Sequence, residues 1–412
     1  MPDNAQITST LIAMSVSRGL YNKPAVMSSF DPRFQKMFNM EMQSGETVYG
    51  RLPWRFVKKE GLGLKLQPIV DRVVPITMNQ VYQYSVEYNS IEEVLNFPRP
   101  NMELIKQFTE PISDQLSQDA DSAAALFATN NAANVVGSLD AAITDLATLR
   151  TTTQKLVELA GWKSGTVGVI SPAMANNIVG LGQAFFNPTD EISQQSKTMR
   201  IGKYANIDWV QSMSLQTPTA GTAVTALQVT GPNQAGNSLI ITGTAAQTLL
   251  DGDKLTIGSG ATSMYAVNPA TRRGFKGLRV IRVVGDYTLT SGPDTISISP
   301  AITGPGSQYQ NVLELPADTA AITLWPGTTS PSGKTGTCGI VFAPDAFARV
   351  SSKLHEPQKV EHHGVSTLNG VTCRFTDSWD FNESREVVRF DALFGFGDIE
   401  SANKAVLLAA TA

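Results

Sequence analysis

The sequence predicts an α+β chain: a mixed helix-and-sheet body, a long β-hairpin ahead of it, and an all-β insertion in its middle. Three observations carry this. Apolar residues alternate with a period of two between Val48 and Tyr88, and a helical period takes over between Leu104 and Leu159. From about Gln216 to Glu314 the composition shifts to Thr, Gly and Ser, and no helical period survives.

Residues 1–45 are polar and Met-rich, broken by Gly19, Pro24 and Pro32, with an apolar cluster at Phe30, Phe34, Met37 and Phe38. They read as an extended arm with one short helix, because a frayed terminus would leave these large side chains uncovered. From Val48 to Val57 the apolar residues Val48, Leu52, Trp54 and Phe56 fall on one strand face. Lys58-Lys59-Glu60-Gly61-Leu62-Gly63 supplies a turn, and Val74, Ile76, Met78, Tyr82, Tyr84, Val86 and Tyr88 return on one face. Residues 46–90 are therefore expected to form an extended hairpin.

After Pro98 and Pro100, Asn101 is an N-cap candidate, and Leu104, Ile105, Phe108, Ile112, Leu116, Leu126 and Phe127 recur at helical spacing. A helix over this span is about 40 Å long, with Pro111 expected to bend it. A second helix is expected between Ser138 and Gly161, burying Ile143, Leu146, Leu149, Leu156 and Leu159. Gly168-Val169-Ile170-Ser171-Pro172 and Gly339-Ile340-Val341-Phe342-Ala343-Pro344 each read as a short buried strand followed by a proline-started helix, over Ala173–Val179 and Asp345–Val350. Two such units far apart in the chain imply one α/β domain, 138–215 and 315–384, interrupted by the insertion.

The insertion, 216–314, carries recurring strand signals at Leu227–Val229, Leu239–Ile241, Leu255–Ile257, Tyr265–Val267, Leu278–Val284, Thr288–Thr290 and Ile296–Ile298. Gly, Pro or Asp-Gly separates most of them, which points to a small antiparallel barrel. Residues 385–412 close the chain with a long strand from Glu386 to Phe396.

Composition narrows the functional classes. Charged residues make up 17% of the 412, against roughly 25% in an ordinary soluble domain, so much of the surface suits burial against neighbours. A net charge of -4 supplies no global positive field to hold a polyanion, and DNA nearby is expected to be enclosed rather than gripped. Cys338 and Cys373 are too few for a disulfide scaffold, the amino end shows no signal-peptide pattern, and no apolar run approaches a membrane span. Synthesis in the cytoplasm with both thiols reduced is the expectation.

Catalytic chemistry finds little support. His355, His362 and His363 lie close in sequence, beside Glu356 and Glu361, but match no helical or finger spacing, and adjacent strand residues point to opposite faces. Neither a nucleophile elbow nor a phosphate loop is present, and Asp251-Gly252-Asp253 reads as a turn. No catalytic, metal or cofactor site is assigned. Arg272, Arg273 and Lys276 lack interleaved aromatics for base stacking, leaving a contact to a neighbouring subunit or simple solvation.

The order of elements resembles the fold shared by the capsid proteins of tailed bacteriophages and herpesviruses, the Johnson fold, and among them the insertion-bearing coat proteins of the Salmonella short-tailed phage group. The similarity is carried by Met199–Gly221, Asp253–Val284, Gly339–Leu354 and Val388–Leu408, the last containing Arg389-Phe390-Asp391-Ala392-Leu393-Phe394-Gly395. The resemblance implies a non-catalytic major coat protein, with 46–90 as a loop overlapping an adjacent subunit and 91–137 as a peripheral domain with a spine helix. It further implies an axial domain over 138–215 and 315–384, the barrel inserted between them, and 385–412 as a strand returning to the peripheral domain. The implied partners are copies of the chain in hexamers and pentamers, a scaffolding protein, a portal and a decoration protein. The implied site is the virion capsid, assembled in host cytoplasm. Some relatives crosslink through lysines of this loop, where Lys58, Lys59 and Lys65 lie, but insertion-bearing ones do not. The subunit-interface candidates are Leu52, Trp54, Phe56, Lys58, Lys59, Phe30, Phe34, Phe38, Arg272, Arg273 and Lys276. Two other classes remain open: a tail or surface adhesin using the barrel to bind, and a metal-dependent hydrolase using the histidines.

Overall fold

A computed structural model describes residues 25–34, 47–59, 61, 66–89, 100–183, 202–352, 354, 362–368, 371–380, 382 and 385–411. Phe38, Lys65 and His355 lie outside the described residues. The chain runs β1 (Thr47–Arg51), β2 (Val73–Asn89), α1 (Pro100–Asn131), β3 (Asn134–Gly137), α2 (Leu146–Glu158), β4 (Val167–Ile170), α3 (Pro172–Gln183), β5 (Gly202–Tyr204) and β6 (Ile207–Gln211). Nine short strands follow: β7 (Gln228–Val229), β8 (Gly236–Thr242), β9 (Thr248–Leu249), β10 (Lys254–Ile257), β11 (Tyr265–Val267), β12 (Gly274–Leu278), β13 (Val280–Val284), β14 (Tyr287–Thr288) and β15 (Asp294–Ile302). The remainder is β16 (Ile322–Leu324), β17 (Thr337–Phe342), β18 (Phe347–Ser351), β19 (His362–Leu368), β20 (Val371–Asp380), β21 (Arg385–Asp398), α4 (Ser401–Lys404) and β22 (Ala405–Ala410). Two compact units result, one of Met1–Leu52, Val73–Ala124 and Phe347–Ile399, the other of Pro53–Arg72, Ala125–Ala346 and Glu400–Ala412.

In the first unit the strands order β1-β2-β21-β20-β19, with β18 also paired to β21. The alternation read from the sequence is the one that forms: along β2 the even positions from Val74 to Val86 turn inward and the odd ones outward. Pairing of β1 with β2 is shorter than expected, covering only Thr47–Arg51 against Val73–Thr77; most of β2 pairs with β21 instead. Val48, Leu52, Ile76, Ala348, Val350 and Ile399 form a core against which Phe34 packs. Gly50 makes room for the Phe34 ring, since a Cβ there would stand 2.8 Å from it and the ring would have to shift.

The arm is fastened by main-chain and ring contacts. Asp31 N–H donates to the Phe347 carbonyl at 3.0 Å, and Arg349 N–H to the Asp31 carbonyl at 3.0 Å. The Phe30 ring sits 5.1 Å from that of Phe347 and edge-on to Phe396. From α1, the buried Asp121 carboxylate accepts the N–H groups of Val26 and Met27 at 2.7 and 3.0 Å.

Helix α1 has 32 residues, about 48 Å at 1.5 Å per residue, and it continues through Pro111. Ile112, Leu116, Ala120, Ala124 and Ala128 form its buried stripe at four-residue spacing. Leu126, expected in that stripe, is 48% exposed; it lies between the buried Ala125 and Ala128 rows, and small residues rather than Leu meet the core.

The second unit holds a mixed sheet, β3-β22-β17-β4-β6-β5. Here β22 with β3 and β4 with β6 run parallel, while β17 is antiparallel to both of its neighbours. Leu149 and Leu156 of α2 and Met174, Ala175 and Ile178 of α3 pack on Val136, Ile170, Trp209, Val341, Val406 and Leu408. Several expectations are corrected here. Helix α2 begins at Leu146, because Asp145 rather than Ser138 caps it, its carboxylate accepting Ala147 N–H at 2.8 Å. Residues 345–350 enter the buried strand β18 rather than a helix, all of β18 being buried and paired with β21. Ala405–Ala410, taken as part of the returning strand, instead lies between β17 and β3.

The inserted strands pair in the order β16-β10-β13-β15-β8-β7, and β9-β14 and β11-β12 make two small ribbons. Their edges meet: Ile322 N–H donates to the Leu227 carbonyl at 2.9 Å and Val229 N–H to the Ala320 carbonyl at 3.0 Å. This closes the six strands on themselves, leaving no free edge between β7 and β16.

Candidate assembly surfaces

Within the second unit, the described residues 53–59 and 66–72 carry an unusual density of uncovered apolar groups. Trp54, Phe56, Leu66, Ile69 and Val70 are 47 to 79% exposed, in a loop where solvation alone would favour polar residues. The loop is nonetheless built. Val57 N–H donates to Gln67 Oε1 at 3.0 Å while Gln67 Nε2 donates back to the Val57 carbonyl, so one amide side chain serves as a strand neighbour. Trp54 Nε1 donates to Asp71 at 2.7 Å and Lys59 Nζ to the Leu66 carbonyl at 3.1 Å.

Exposure alternates along this segment. Arg55 lies between the exposed Trp54 and Phe56 and is the more covered of the three. It is half-buried, and its guanidinium donates to Glu400. Glu400 also pairs with Lys404 at 2.8 Å, Lys404 with Asp345 at 2.8 Å, and Asp345 with Lys163. The result is a line of alternating charges from the loop to the short helix α4. At the other end of the loop, Arg72 stacks over the Tyr309 ring at 4.8 Å, and the Tyr309 hydroxyl donates to the Val70 carbonyl at 2.9 Å. Gln308 Nε2 donates to the Arg55 carbonyl.

Electrostatics follow from crowding. Burial pushes the Glu400 carboxyl up, and Lys404, Arg55 and Arg72 outweigh it, holding the group below its ordinary value. Burial likewise opposes the Asp345 carboxylate, which its bonds to Lys163 and Lys404 bring down. Burial works against the Lys404 ammonium, yet Asp345 and Glu400 raise it. Arg279, fully buried, is lowered to about 10 by burial and then by Arg55; it donates to Asn403 Oδ1 at 3.2 Å and the Ala402 carbonyl at 3.3 Å.

The residues singled out in the sequence separate into groups. Trp54, Phe56, Lys58 and Lys59 are exposed on one loop. Phe30 and Leu52 are not surface groups: both are buried in the first unit's own core, because the arm adds alongside β18 and the alternating face is covered as far as Leu52. Phe34 is partly buried against the same core. Arg273 and Lys276 are exposed, while Arg272 donates to the carbonyls of Ser307 (2.8 Å) and Gln308, supporting the segment that holds Arg55. His362 and His363 are neighbours in β19, opposite Asp377 and Thr376, and among the described residues no cluster of metal-ligating side chains occurs. Cys338 and Cys373 are buried free thiols, both pushed up to about 12 by burial. The anchoring set of Arg55, Arg72, Glu400, Lys404 and Tyr309 was missed. That Arg55 would be set apart from Trp54 and Phe56 was legible in the alternating sequence, but its partner lies 345 residues away.

No protein-family model matches the chain, and no curated protein matches it. Among solved structures, it is similar to one from Mycobacterium phage Che8, at 11% identity and a TM-score of 0.49, over 94% of this chain and 91% of that one. It is similar to the capsid of Ralstonia phage GP4, at 8% identity and a TM-score of 0.45, over 90% and 84%. It is also similar to the capsid of the cyanophage P-SCSP1u, at 11% identity and a TM-score of 0.42, over 89% and 84%.

Proposed function

We propose that this chain is the major coat protein of a tailed bacteriophage, a non-catalytic subunit that assembles into an icosahedral shell around the genome. The observation that carries the reading is the pair of segments 53–59 and 66–72, bonded to each other yet keeping Trp54, Phe56, Leu66, Ile69 and Val70 in solvent. A subunit acting alone gains nothing from such a surface, whereas burial on a second copy recovers about 25 cal/mol per Å² of apolar area. Symmetry then repeats that gain at every equivalent contact. The order of elements supports the same reading: arm, β1–β2, the long helix α1, a mixed sheet interrupted by closed antiparallel strands, and the long strand β21.

Under this reading the chain meets copies of itself in hexamers and pentamers, with a scaffolding protein, a portal and a decoration protein as further partners. It resides in the virion capsid after assembly in the host cytoplasm. The net charge of -4 fits DNA that is enclosed without being bound tightly. Function is then geometric. Negative-stain microscopy of the chain, expressed with and without its neighbouring gene products, tests it. Closed particles support the coat; fibres or small oligomers favour an adhesin, and chelator-sensitive hydrolysis would favour an enzyme.

A further inference from the structure

We propose that Arg55 and Glu400 form a clasp that positions the loop over 53–72 so that Trp54 and Phe56 are presented, already ordered, to a second copy of the chain. The inference rests on the coat reading for what the loop meets, but the clasp itself is a property of the single chain. Three features carry it. Arg55 is the covered residue between two exposed aromatic ones, so its ion pair holds the segment with those two left outward. The Arg55 carbonyl is held as well, by Gln308, whose own carbonyl and that of Ser307 are gripped by Arg272. The far end of the loop is pinned separately by Arg72 on Tyr309 and by the Tyr309 hydroxyl on Val70.

Charge distribution makes Glu400 the keystone. Its carboxylate meets Arg55 and Lys404 directly, with Arg72 near enough to lower its pKa. Removing this one negative group leaves Arg55 and Arg72 to repel each other, while Lys404 keeps its pair with Asp345. Ordering the loop before the partner arrives lowers the entropic cost of association, because the aromatic anchors are not immobilised at the moment of contact. Arg55 and Glu400 therefore act through Trp54 and Phe56 rather than by touching the partner.

The test uses the unassembled full-length chain and the assembling system side by side. In the unassembled chain, hydrogen-deuterium exchange over 53–59 and 66–72 is compared among wild type, Arg55→Glu, Arg55→Lys and Tyr309→Leu. Loss of a charge-assisted hydrogen bond is expected to speed exchange in Arg55→Glu by about tenfold or more. Arg55→Lys, which keeps the charge, should stay close to wild type, and Tyr309→Leu should loosen 66–72 without touching the ion pair. In assembly, Arg55→Glu should lower particle yield at least as far as exchange rises, and Arg55→Lys should restore most of it. Unchanged exchange over 53–59 in Arg55→Glu overturns the clasp, whatever Tyr309→Leu and the particles do. A freed loop with normal or faster assembly overturns the positioning role. Wild-type chain that never forms particles removes the coat reading while leaving the exchange result to judge the clasp. If Arg55→Glu lowers the melting temperature of the whole chain, Arg55→Gln, which removes the charge without reversing it, is read in its place, with the same outcomes.

Discussion

Cys338 N–H donates to the Gln216 carbonyl at 3.1 Å, joining two residues at the two ends of the inserted strands. Above this bond the entering and leaving segments stay side by side: Gly336 N–H reaches the Pro218 carbonyl at 3.3 Å, Ala220 N–H the Lys334 carbonyl at 2.8 Å, and Thr219 bridges Thr335. The insertion thus ends near 338 rather than at 314. Its last strand, β16, pairs with β10 and brings with it the bonds that close the sheet. A fragment of 216–338 is expected to melt cooperatively with a β-type circular dichroism spectrum, and one of 216–314, lacking β16, to show no cooperative transition. Equal melting of the two fragments would refute the closure.

Lys254 gives a pH-dependent prediction. Its ammonium is fully buried and donates to the carbonyls of Thr129 and Asn130 at 3.1 and 3.4 Å, serving the last turn of α1. Burial, then the nearby Arg282, lower it from 10.5 to about 7, against the opposing pull of Cys338, Asp253 and Asp251. The folded value lies below the unfolded one, so the unfolded chain binds the extra proton between them, and stability contributed at this site rises with pH from about 7 to 10.5. Lys254→Met removes that dependence. The melting-temperature gap between wild type and variant should widen in favour of wild type over that window, by on the order of a few kcal/mol in stability. A gap that narrows with rising pH would contradict the assignment.

Both thiols should be silent in the folded chain. With Cys338 and Cys373 pushed up to about 12 by burial, the thiolate fraction at pH 8 is negligible and access is closed. A chromogenic disulfide reagent is expected to titrate no thiol in native protein and two after denaturation. Rapid reaction of either cysteine without denaturant would show that its strand opens.

Much of this architecture was legible because it depends on local periodicity. The strand period along β2 survives in burial from Val74 to Val86, in α1 the expected Ile112 and Leu116 are buried while Leu126 is not, and Tyr265–Val267 was bounded correctly because polar turns flank it. What was not legible depends on distant partners. Ala405–Ala410 carries no alternation, since a central strand buried on both faces has no polar side. Phe347–Ser351 followed proline and aspartate as a helix would, yet its partner β21 holds it extended. For the candidate surface, Trp54 and Phe56 were found through their strand spacing. The same spacing extended their face to Leu52, which the core covers because Ile76, Ala348 and Val350 lie against it.

Trp54 is the residue through which the interface is most simply challenged. It is 47% exposed and its one described bond is to Asp71, so Trp54→Asp is expected to shift the melting temperature of the unassembled chain by little. On a neighbouring subunit the same carboxylate would be buried without a partner, at a cost of several kcal/mol. Particle yield should therefore collapse while the monomer stays folded. Normal yield with unchanged melting would remove Trp54 from the interface, and a large fall in melting would mark it as a core residue.

The central claim is that this chain builds a closed shell, and cryo-electron microscopy of the chain co-expressed with its neighbouring gene products addresses it most directly. The expected result is a population of closed icosahedral particles of hundreds of copies, clustered about five-fold and six-fold positions, with density of a neighbouring subunit over Trp54 and Phe56. A monodisperse monomer or dimer under every assembly condition, or open fibres without icosahedral symmetry, would contradict it.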